Sequence, residues 1–341
     1  MKTAIYQGNK QFTIGQGQSL KPGSGEVRLD VAYCGVCGTD LHVYHGSMDA
    51  RVKPPVTIGH EVSATVAEIG EGVTGLALGD AVAVRPLRFG EVDPSDKEWA
   101  HVGKNLKFIG LDSPGGMQES WTVPAYALHK LPADMSLLHG ALVEPTAVAC
   151  HDVRLGEVKA GEHVIVIGGG PIGTLIALVA KDKGAKVLVS EINTNRVEFT
   201  KKLGIDAVNP AKEDLLEFVT KWSGGAMADV VFEVSGAAKA VETMTDLPRA
   251  RGRIVMVAIH PQPQPINLFK FFWRELQLIG TRLYEPCDYD EAIELLATGR
   301  VPAEPLITKV SPLDEIQNVF ETIDANPEGM KYILQCSPTP A

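Results

Sequence analysis

The sequence predicts a two-domain α/β protein in which a parallel β-sheet covered by helices is joined to a β-rich domain. Three observations lead to this prediction. The chain has 341 residues, which exceeds one ordinary hydrophobic core and suggests about two domains of ~150 residues each. Before residue 140, short apolar runs such as 26–31 and 81–84 are separated by Gly, Pro and Asp, as in a barrel-like domain. After Pro145, strand and helix patterns alternate, which is typical of a parallel sheet.

Composition and charge restrict the function classes. The chain has 32 Lys and Arg against 42 Asp and Glu, a net charge of −10 that argues against a surface for nucleic acid or anionic lipid. Five scattered cysteines argue against a disulfide scaffold. The longest uncharged run, 164–180, is too short to span a bilayer, and the first residues carry no export signature. We therefore expect a soluble, cytoplasmic protein that binds neither nucleic acid nor membrane.

The alternation after Pro145 can be followed element by element, and every element fits the lengths usual for a parallel sheet with covering helices. The predicted strands are 163–167, 186–191, 230–233, 253–257, 277–280 and one near 332–335, and the predicted helices are 171–183, 196–203, 237–244 and 289–296.

The turn after the first of these strands carries a dinucleotide fingerprint, Gly168-x-Gly170-x-x-Gly173, which opens directly into an apolar helix. Such a glycine pattern alone is weak evidence, but the strand before it and the helix after it are the supporting context. Gly168 permits the tight turn, Gly170 lets the backbone approach a pyrophosphate, and Gly173 lets the helix pack closely on the strand. The N-terminus of the helix, which begins with Pro171-Ile172, offers unpaired N–H groups to phosphate from the residues after the proline. We predict a Rossmann-type, doubly wound parallel sheet with these five residues at the cofactor.

An acidic residue at the end of the second strand predicts which dinucleotide is bound. Glu191 lies 18 positions after Gly173, where its carboxylate can accept hydrogen bonds from the adenosine ribose hydroxyls. The same carboxylate would repel a 2′-phosphate, so NAD is favoured over NADP. The alternative is that the glycines only form a tight turn and Glu191 is a surface acid. Arg196 is predicted to stack on adenine or pair with a 2′-phosphate, and is otherwise a solvated arginine.

Possible metal ligands occur in three separated pieces of the first half of the chain. The pieces are Cys34-Gly35-Val36-Cys37-Gly38-Thr39-Asp40-Leu41-His42, Gly59-His60-Glu61 and Val143-Glu144-Pro145. A C-x2-C pair suggests a structural zinc or a redox motif, but no second pair exists in the sequence to complete a four-cysteine site. Cys37, His60 and a carboxylate would leave zinc one open position, which is the arrangement of a catalytic site. Cys34 is better interpreted as a small buried strand residue.

Taken together, these pieces resemble the zinc-dependent medium-chain dehydrogenase/reductase family, to which the alcohol dehydrogenases belong. The resemblance covers essentially the whole chain and is carried in order by residues 37–42, 59–61, the Gly115-Gly116-Met117-Gln118-Glu119 segment, 143–145 and the dinucleotide turn. The segment Val143-Glu144-Pro145 resembles the corresponding segment of the polyol (sorbitol/xylitol) dehydrogenase branch, and of butanediol and threonine dehydrogenases. The resemblance implies a GroES-like β-barrel catalytic domain at 1–147 and 284–341, and a Rossmann NAD-binding domain at 148–283.

The resemblance also implies roles for individual residues around one catalytic zinc ion. Cys37 and His60 match the two fixed ligands. Glu61 and Glu144 match two carboxylates that share the remaining protein contact, either directly or through a water, and which of them is the direct ligand is left open. Asp40 matches a carboxylate that orients a ligand, because a metal-bound histidine normally donates its other N–H to such a group.

Proton and hydride transfer would involve further matched residues. Zinc would act as a Lewis acid that makes the substrate hydroxyl acidic, and hydride would pass to the nicotinamide ring. Thr39 and His42 match a hydroxyl relay and its outer partner, through which the proton would leave; a water hydrogen-bonded to Glu61 or Glu144 is the other route. Ala258 and Ile259 follow a strand and, by resemblance, contact the nicotinamide amide.

The sequence departs from the family at one point. Relatives usually hold a second, structural zinc with four closely spaced cysteines, roughly where residues 85–110 lie here, and this segment contains no cysteine. A structural zinc is therefore not expected, since it needs several thiolate or imidazole ligands. The same lobe contributes to oligomer contacts in relatives, so either a homodimer or a homotetramer is expected.

The predicted function is an NAD-dependent, zinc-catalysed oxidation of a secondary alcohol in a polyol, sugar or sugar acid. An oxygen-rich metal site suits a substrate with neighbouring hydroxyls, and Arg282 and Tyr284 are candidate substrate contacts, with structural packing as the alternative for both. Butanediol- or threonine-type dehydrogenases stay open. A zinc-free NADPH-dependent enone or quinone reductase and a non-catalytic nucleotide sensor are the rival classes, disfavoured by the intact ligand set.

Overall fold

A computed structural model describes residues 1–260 and 262–337, and the chain divides into two compact units. The first unit is Met1–Glu144 together with the chain from Tyr289 onward, and the second is Pro145–Asp288. The first unit is thus discontinuous in sequence and the second is inserted into it. The corresponding domain boundaries predicted above are 147/148 and 283/284.

The described residues form strands and helices of ordinary length, numbered here in chain order. The strands are β1 (Lys2–Gly8), β2 (Gln11–Gln16), β3 (Glu26–Gly35), β4 (Glu61–Ile69), β5 (Ala81–Val84), β6 (Leu87–Arg88), β7 (Lys107–Phe108), β8 (Ser120–Pro124), β9 (Leu128–Lys130), β10 (His163–Ile167), β11 (Lys186–Ser190), β12 (Asp206–Val208), β13 (Ala228–Glu233), β14 (Pro248–Met256), β15 (Gln277–Gly280), β16 (Ile307–Pro312) and β17 (Lys331–Gln335). The α-helices are α1 (Gly38–Tyr44), α2 (Leu137–Gly140), α3 (Val143–Leu155), α4 (Pro171–Asp182), α5 (Thr194–Lys202), α6 (Leu215–Trp222), α7 (Ala238–Thr243), α8 (Leu268–Arg274), α9 (Pro286–Ala297) and α10 (Ile316–Ala325). Short 3₁₀ turns occur at Ala100–Val102, Ala125–Ala127, Met244–Asp246, Glu304–Leu306 and Leu313–Glu315.

The second unit is a six-stranded, all-parallel sheet with the order β12-β11-β10-β13-β14-β15. Four residues of β10, Val164–Ile167, are buried, as expected of a central strand that is covered on both faces. The strand order reverses between β10 and β13, which is the point where such sheets bind ligands. The predicted Rossmann-type fold class is confirmed.

The first unit is built around a mixed sheet with the order β16-β17-β3-β4-β5-β9, and β8 also pairs with β3. Strands β3, β4 and β5 are antiparallel, and β17 from the end of the chain joins β3 antiparallel as well. The pairs β1–β2 and β6–β7 form separate ribbons. This β-rich, GroES-like unit was predicted; β16 and α10 within it were not.

The segment between β6 and β7, where the sequence lacks cysteines, is held by hydrogen bonds from side chains. Asp96 Oδ2 accepts from the Lys104 amide at 3.0 Å, and Asn105 Nδ2 donates to the Glu91 carbonyl at 2.9 Å. The Lys104 ammonium pairs with Asp93 at 3.1 Å. These bonds cross-link the two halves of the segment without a metal.

In the described ranges, no helix combines the length and the apolar character that a membrane crossing requires.

Candidate functional site

Possible metal ligands from two separate segments meet in the first unit. Cys37 is the residue that precedes helix α1, His60 precedes strand β4, and Glu61 opens that strand. Their ligand atoms lie within 4.8 Å of one another, the spacing expected of groups that share one cation. His60 and Glu61 are buried, so the bend between strand and loop directs both side chains into the interior.

The donor atoms of this cluster fit a zinc ion. Glu61 is completely buried, and a bound cation would have to share it with the Lys331 ammonium ion, which lies 2.5 Å from both of its carboxylate oxygens. Gly35 lies opposite Glu61 in the β3–β4 ladder, and a Cβ at Gly35 would collide with Glu61 Oε2. A thiol, an imidazole and a carboxylate are the ligand types that zinc prefers.

Two further acids give the cluster a negative potential. Asp40 is fully buried; its Oδ2 accepts from the Cys37 amide at 3.0 Å, and its Oδ1 lies 3.6 Å from His60 Nδ1. Burial lowers the pKa of His60, but the charges of Asp40, Cys37 and Glu144 outweigh burial, so this pKa lies well above its usual value. A cluster that attracts a proton this strongly equally favours a metal cation.

Glu144, in the first turn of helix α3, contributes to this potential but is not one of the three groups that lie within 4.8 Å of each other. It is buried, and its charge raises the pKa of both His60 and Lys331. Of the four metal ligands predicted, the structure therefore brings Cys37, His60 and Glu61 together, with Glu144 close enough to interact electrostatically.

Lys331 is a residue of this cluster that the sequence analysis missed. It opens strand β17, is only 3% exposed, and donates from Nζ to Glu61 Oε1 at 2.5 Å and to the Val36 carbonyl at 3.0 Å. Burial lowers its pKa, but the charges of Glu61, Cys37 and Glu144 and the hydrogen bond to Glu61 together outweigh burial, and the pKa is raised. A lysine at the head of an apolar strand, Lys331-Tyr332-Ile333-Leu334, was the available signal.

The two residues predicted for a proton relay lie on helix α1. Thr39 is half-buried and His42 is exposed, and the spacing of three residues places both on one face of the helix. The same helix carries Asp40 and follows Cys37, so one short helix links the metal cluster to the surface.

The dinucleotide fingerprint adopts a conformation that only glycine permits. Gly168 has φ +108°, a region that side chains avoid. A Cβ at Gly173 would overlap the Gly168 carbonyl oxygen. Helix α4 then begins at Pro171, with Gly170 before it. Proline lacks an N–H, which costs little at the first helical position because an N–H there has no partner within the helix. The N–H groups that follow in the first turn would be available to a phosphate.

Glu191 follows strand β11 and is joined to the glycine turn. Its Oε2 accepts from the Gly169 amide and its Oε1 from the Asn193 amide, both at 2.7 Å. Each carboxylate oxygen keeps a second lone pair for a hydroxyl donor. The predicted strand 186–191 ends one residue earlier than expected, at Ser190, which places Glu191 at the mouth of the cleft.

This cleft has a volume of about 590 Å³ and lies at the carboxyl ends of the parallel strands. Gly168, Gly170, Glu191 and Arg196 all line it. Five of the predicted cofactor residues thus lie on one turn, 168–173, with Glu191 and Arg196 beside it.

Four further predicted residues lie elsewhere in the second unit. Ala258 follows β14 and is half-buried, and Ile259 is 74% exposed. Arg282 is exposed, whereas Tyr284 is completely buried, which is what packing rather than ligand contact would produce. The roles of all four stay predictions.

Comparison with known families identifies the class of protein. Residues 23–133 match the model described as alcohol dehydrogenase GroES-like domain, and residues 171–298 match that of zinc-binding dehydrogenase. The chain belongs to the zinc-type medium-chain alcohol dehydrogenase family. It is thus an oxidoreductase that acts on CH–OH groups of a small molecule, in a family that uses zinc and a nicotinamide cofactor.

Individual members of the family are similar to this chain over nearly its whole length. A 2-dehydro-3-deoxy-L-galactonate 5-dehydrogenase of Pseudoalteromonas atlantica is 54% identical over 338 residues, 99% of either chain. A sorbitol dehydrogenase of Halalkalibacterium halodurans is 32% identical over 96% of either chain. The crystal structure of 2R,3R-butanediol dehydrogenase from Bacillus subtilis is 30% identical and superimposes with a TM-score of 0.91, covering 98% of this chain and 99% of that one. The family and the function class that the motifs predicted are confirmed.

Proposed function

We propose that this enzyme oxidises a secondary hydroxyl of a 2-keto-3-deoxy sugar acid, with NAD as the hydride acceptor and one zinc ion per chain. The observation that carries the proposal is the cluster of half-buried Cys37 with buried His60 and Glu61, whose ligand atoms lie within 4.8 Å of one another. An alcohol needs such a site, because its hydroxyl proton must be removed before hydride leaves.

The substrate class rests on the relatives. The relative named for a 2-dehydro-3-deoxy sugar acid shares 54% of residues over nearly the full length, whereas the sorbitol enzyme shares 32%. A few residues decide the specificity of a substrate pocket. The relative with the much greater identity differs from this chain at fewer positions, which favours the sugar acid over a simple polyol as substrate. Arg282, exposed on the loop after β15, is the candidate partner of the substrate carboxylate, and Tyr284 supports that loop by packing.

The metal-binding roles follow from the positions of the side chains. Bound zinc supplies Lewis-acid chemistry that makes a hydroxyl acidic. Cys37 and His60 bind the ion, and Glu61 or Glu144 completes the protein contacts. Asp40 orients the His60 ring through Nδ1. The segment 85–110 lacks cysteine and is tied by its own hydrogen bonds, which supports a single zinc per chain.

Proton removal and cofactor placement use other residues of the chain. Thr39 passes the hydroxyl proton to His42, whose exposed ring releases it to solvent. Gly168, Gly170 and Gly173 seat the pyrophosphate. The backbone at Ala258 and Ile259, after β14, holds the nicotinamide amide.

NAD is the proposed cofactor because of Glu191. Its carboxylate is fixed by two backbone amides at the mouth of the cleft, so it cannot swing away from a 2′-phosphate without losing both bonds. Arg196, beside Gly170, would then stack on the adenine base.

Self-association into a homodimer or homotetramer is proposed from one surface of the second unit. No residue of helix α8 is buried, although it carries Phe269, Phe272 and Trp273. Strand β15, next to it in sequence, is the last strand of the described sheet and is also largely exposed. A second copy that pairs with this edge about a two-fold axis would cover both.

We place the protein in the cytoplasm. All five cysteines are free thiols in the structure, and the metal site requires Cys37 in reduced form, which suits a reducing compartment.

The test is reduction of NAD by the purified protein, prepared without chelator. The substrates are 2-keto-3-deoxy sugar acids that differ in configuration at C5, aldonic acids, hexitols, butanediols and threonine, and Cys37→Ser serves as the blank. Turnover confined to the keto acids supports the proposal. Turnover on hexitols or butanediol alone would replace the substrate class, and activity with NADPH and enones in both proteins would remove the zinc chemistry.

A further inference from the structure

The ion pair of Lys331 and Glu61 lies inside the metal cluster, where a positive side chain is unexpected. Both residues are buried, and Lys331 Nζ has Glu61 Oε1 at 2.5 Å and the Val36 carbonyl at 3.0 Å. Lysine is almost never buried unless it is paired, because removing its charge from water costs several kcal/mol. The position therefore needs an explanation beyond packing.

The acidic side chains around Lys331 supply an explanation for its burial. Three acidic side chains, Asp40, Glu61 and Glu144, lie together with the Cys37 thiol, and Lys331 places one ammonium ion among them. Lys331 interacts electrostatically with Cys37 and Glu144 as well as with Glu61, so its charge acts on the whole ligand set.

The Lys331 ammonium ion contacts both carboxylate oxygens of Glu61. Its Nζ donates to Oε1 at 2.5 Å and also lies 2.5 Å from Oε2, which faces Gly35. A side chain at position 35 would fill the space around Oε2. Lys331 and a metal ion would therefore compete for the same carboxylate.

We propose that Lys331 is a positioning residue of the metal centre: its ammonium ion holds the carboxylate of Glu61, compensates the acidic cluster when no metal is bound, and weakens the affinity of the cluster for a divalent cation. This proposal rests on the zinc-dependent function above. Its consequence is a metal site that folds without metal and in which Lys331 and the metal share the Glu61 carboxylate.

The experiment measures zinc affinity by competition with a chromophoric chelator, and thermal unfolding of the metal-free and zinc-loaded proteins. The variants are Lys331→Met, which removes the charge, and Lys331→Arg, which keeps it. Lys130→Met is the matched control, since Lys130 pairs with Asp80 in the same unit but is half-exposed and outside the cluster.

We expect Lys331→Met to bind zinc about tenfold or more tightly, because a positive charge a few ångströms from a cation has been removed. The same variant without metal should melt roughly 5–10 °C lower, since Glu61 is left buried and unpaired. Zinc should recover most of this loss. Lys331→Arg and Lys130→Met should keep the zinc affinity within about threefold of the wild type.

Unchanged or weaker zinc binding by Lys331→Met, with an equal loss of melting temperature in both forms, would overturn the proposal. If Lys331→Met does not fold even with zinc, the double variant Lys331→Met/Glu61→Gln distinguishes charge compensation from packing. If the double variant folds, charge compensation is supported. If it does not fold, Lys331 is needed only for packing and the proposal is overturned. Failure of the wild type itself to bind zinc would instead refute the proposed function.

Discussion

The metal cluster of the first unit and the dinucleotide turn of the second unit are both proposed to bind charged ligands, and they are built from opposite kinds of groups. The cluster places the acidic side chains of Asp40 and Glu61 out of contact with water, beside half-buried Cys37. The turn consists largely of glycines and leads into helix α4, so that backbone N–H groups would meet the phosphates of a bound dinucleotide. Desolvated charges must be compensated by a cation, whereas neutral backbone groups need no such partner.

This difference explains how each region can fail. Loss of one ligand in the cluster leaves other buried charges uncompensated, so it affects both metal binding and stability. Addition of one methyl group to a glycine of the turn would block the approach of the dinucleotide phosphates without changing any charge. The four predictions below test this contrast, beginning with the largest expected effect.

Replacement of the thiolate should abolish the chemistry but leave cofactor binding intact. Cys37→Ser is expected to lose bound zinc and to reduce kcat/KM by about 10³-fold or more, since Lewis-acid stabilisation contributes several kcal/mol. Zinc content by atomic absorption, steady-state kinetics and NADH fluorescence titration measure this. Exposed Cys287 provides the control Cys287→Ser, which should behave as wild type. Loss of NADH binding in Cys37→Ser would contradict the separation of the two regions.

A methyl group at the turn should produce the reverse pattern. In Gly173→Ala the new Cβ meets the Gly168 carbonyl oxygen, which is backbone and cannot rotate away. We expect the affinity for NADH to fall at least tenfold and the free energy of unfolding to fall by about 1–3 kcal/mol. The zinc content should stay at the wild-type value. Unaltered NADH titration would show that the turn is not the phosphate site.

The fixed carboxylate beside the turn should determine the choice of dinucleotide. Glu191→Ser removes the acceptor for the ribose hydroxyls and the repulsion of a 2′-phosphate, so the preference for NAD over NADP should fall about 10–100-fold. The ratio of kcat/KM for the two cofactors measures it. Glu198→Gln, at an exposed acid on the neighbouring helix α5, should leave the ratio unchanged. The same ratio in both variants would remove Glu191 from cofactor selection.

Asp152 of helix α3 is a buried carboxyl group with no ion pair among the described residues, and its pKa shows the effect of burial. Burial, together with the charge of Asp288, raises the pKa of Asp152 to about 8, although a hydrogen bond with Thr281 partly offsets both. The folded state keeps this proton between pH ~4 and 8, where the unfolded state has released it, so stability falls as pH rises through this window.

Asp152→Asn cannot ionise and should escape this loss. Its unfolding free energy should exceed that of the wild type by about 1 kcal/mol or more at pH 8, and the difference should shrink towards pH 5. Urea unfolding at both pH values measures it, with Glu198→Gln as the exposed control. A constant difference at the two pH values would mean that Asp152 is already ionised in the folded protein.

The sequence predicts the two regions to different depths for a physical reason. The glycine turn and Glu191 lie within 24 consecutive residues, and each glycine has a local conformational cause. The cluster is assembled from segments far apart in the chain, so Cys37 and His60 were matched through family resemblance. Lys331 carries only a weak local signal, its place at the head of an apolar strand, because a lysine at the start of a strand usually lies in water.

The fold follows the same rule. Buried strands such as β10 are continuous apolar runs and were predicted with their bounds. Helix α8 was not predicted; it has only seven residues, about two turns, and none of them is buried in the structure. Strand β12 has only three residues, too few to show a period.

The discontinuity of the first unit has a consequence for the newly made chain. Strand β17, which pairs with β3, is synthesised about 300 residues after it. Until Lys331 is made, Glu61 has no ammonium partner and the first unit lacks a strand of its sheet. The described strands of the inserted unit have all been made by residue 288. Assembly of the acidic cluster therefore waits for β17, and a chain truncated before residue 331 would present an open sheet edge and an unpaired acid to the cell's quality control.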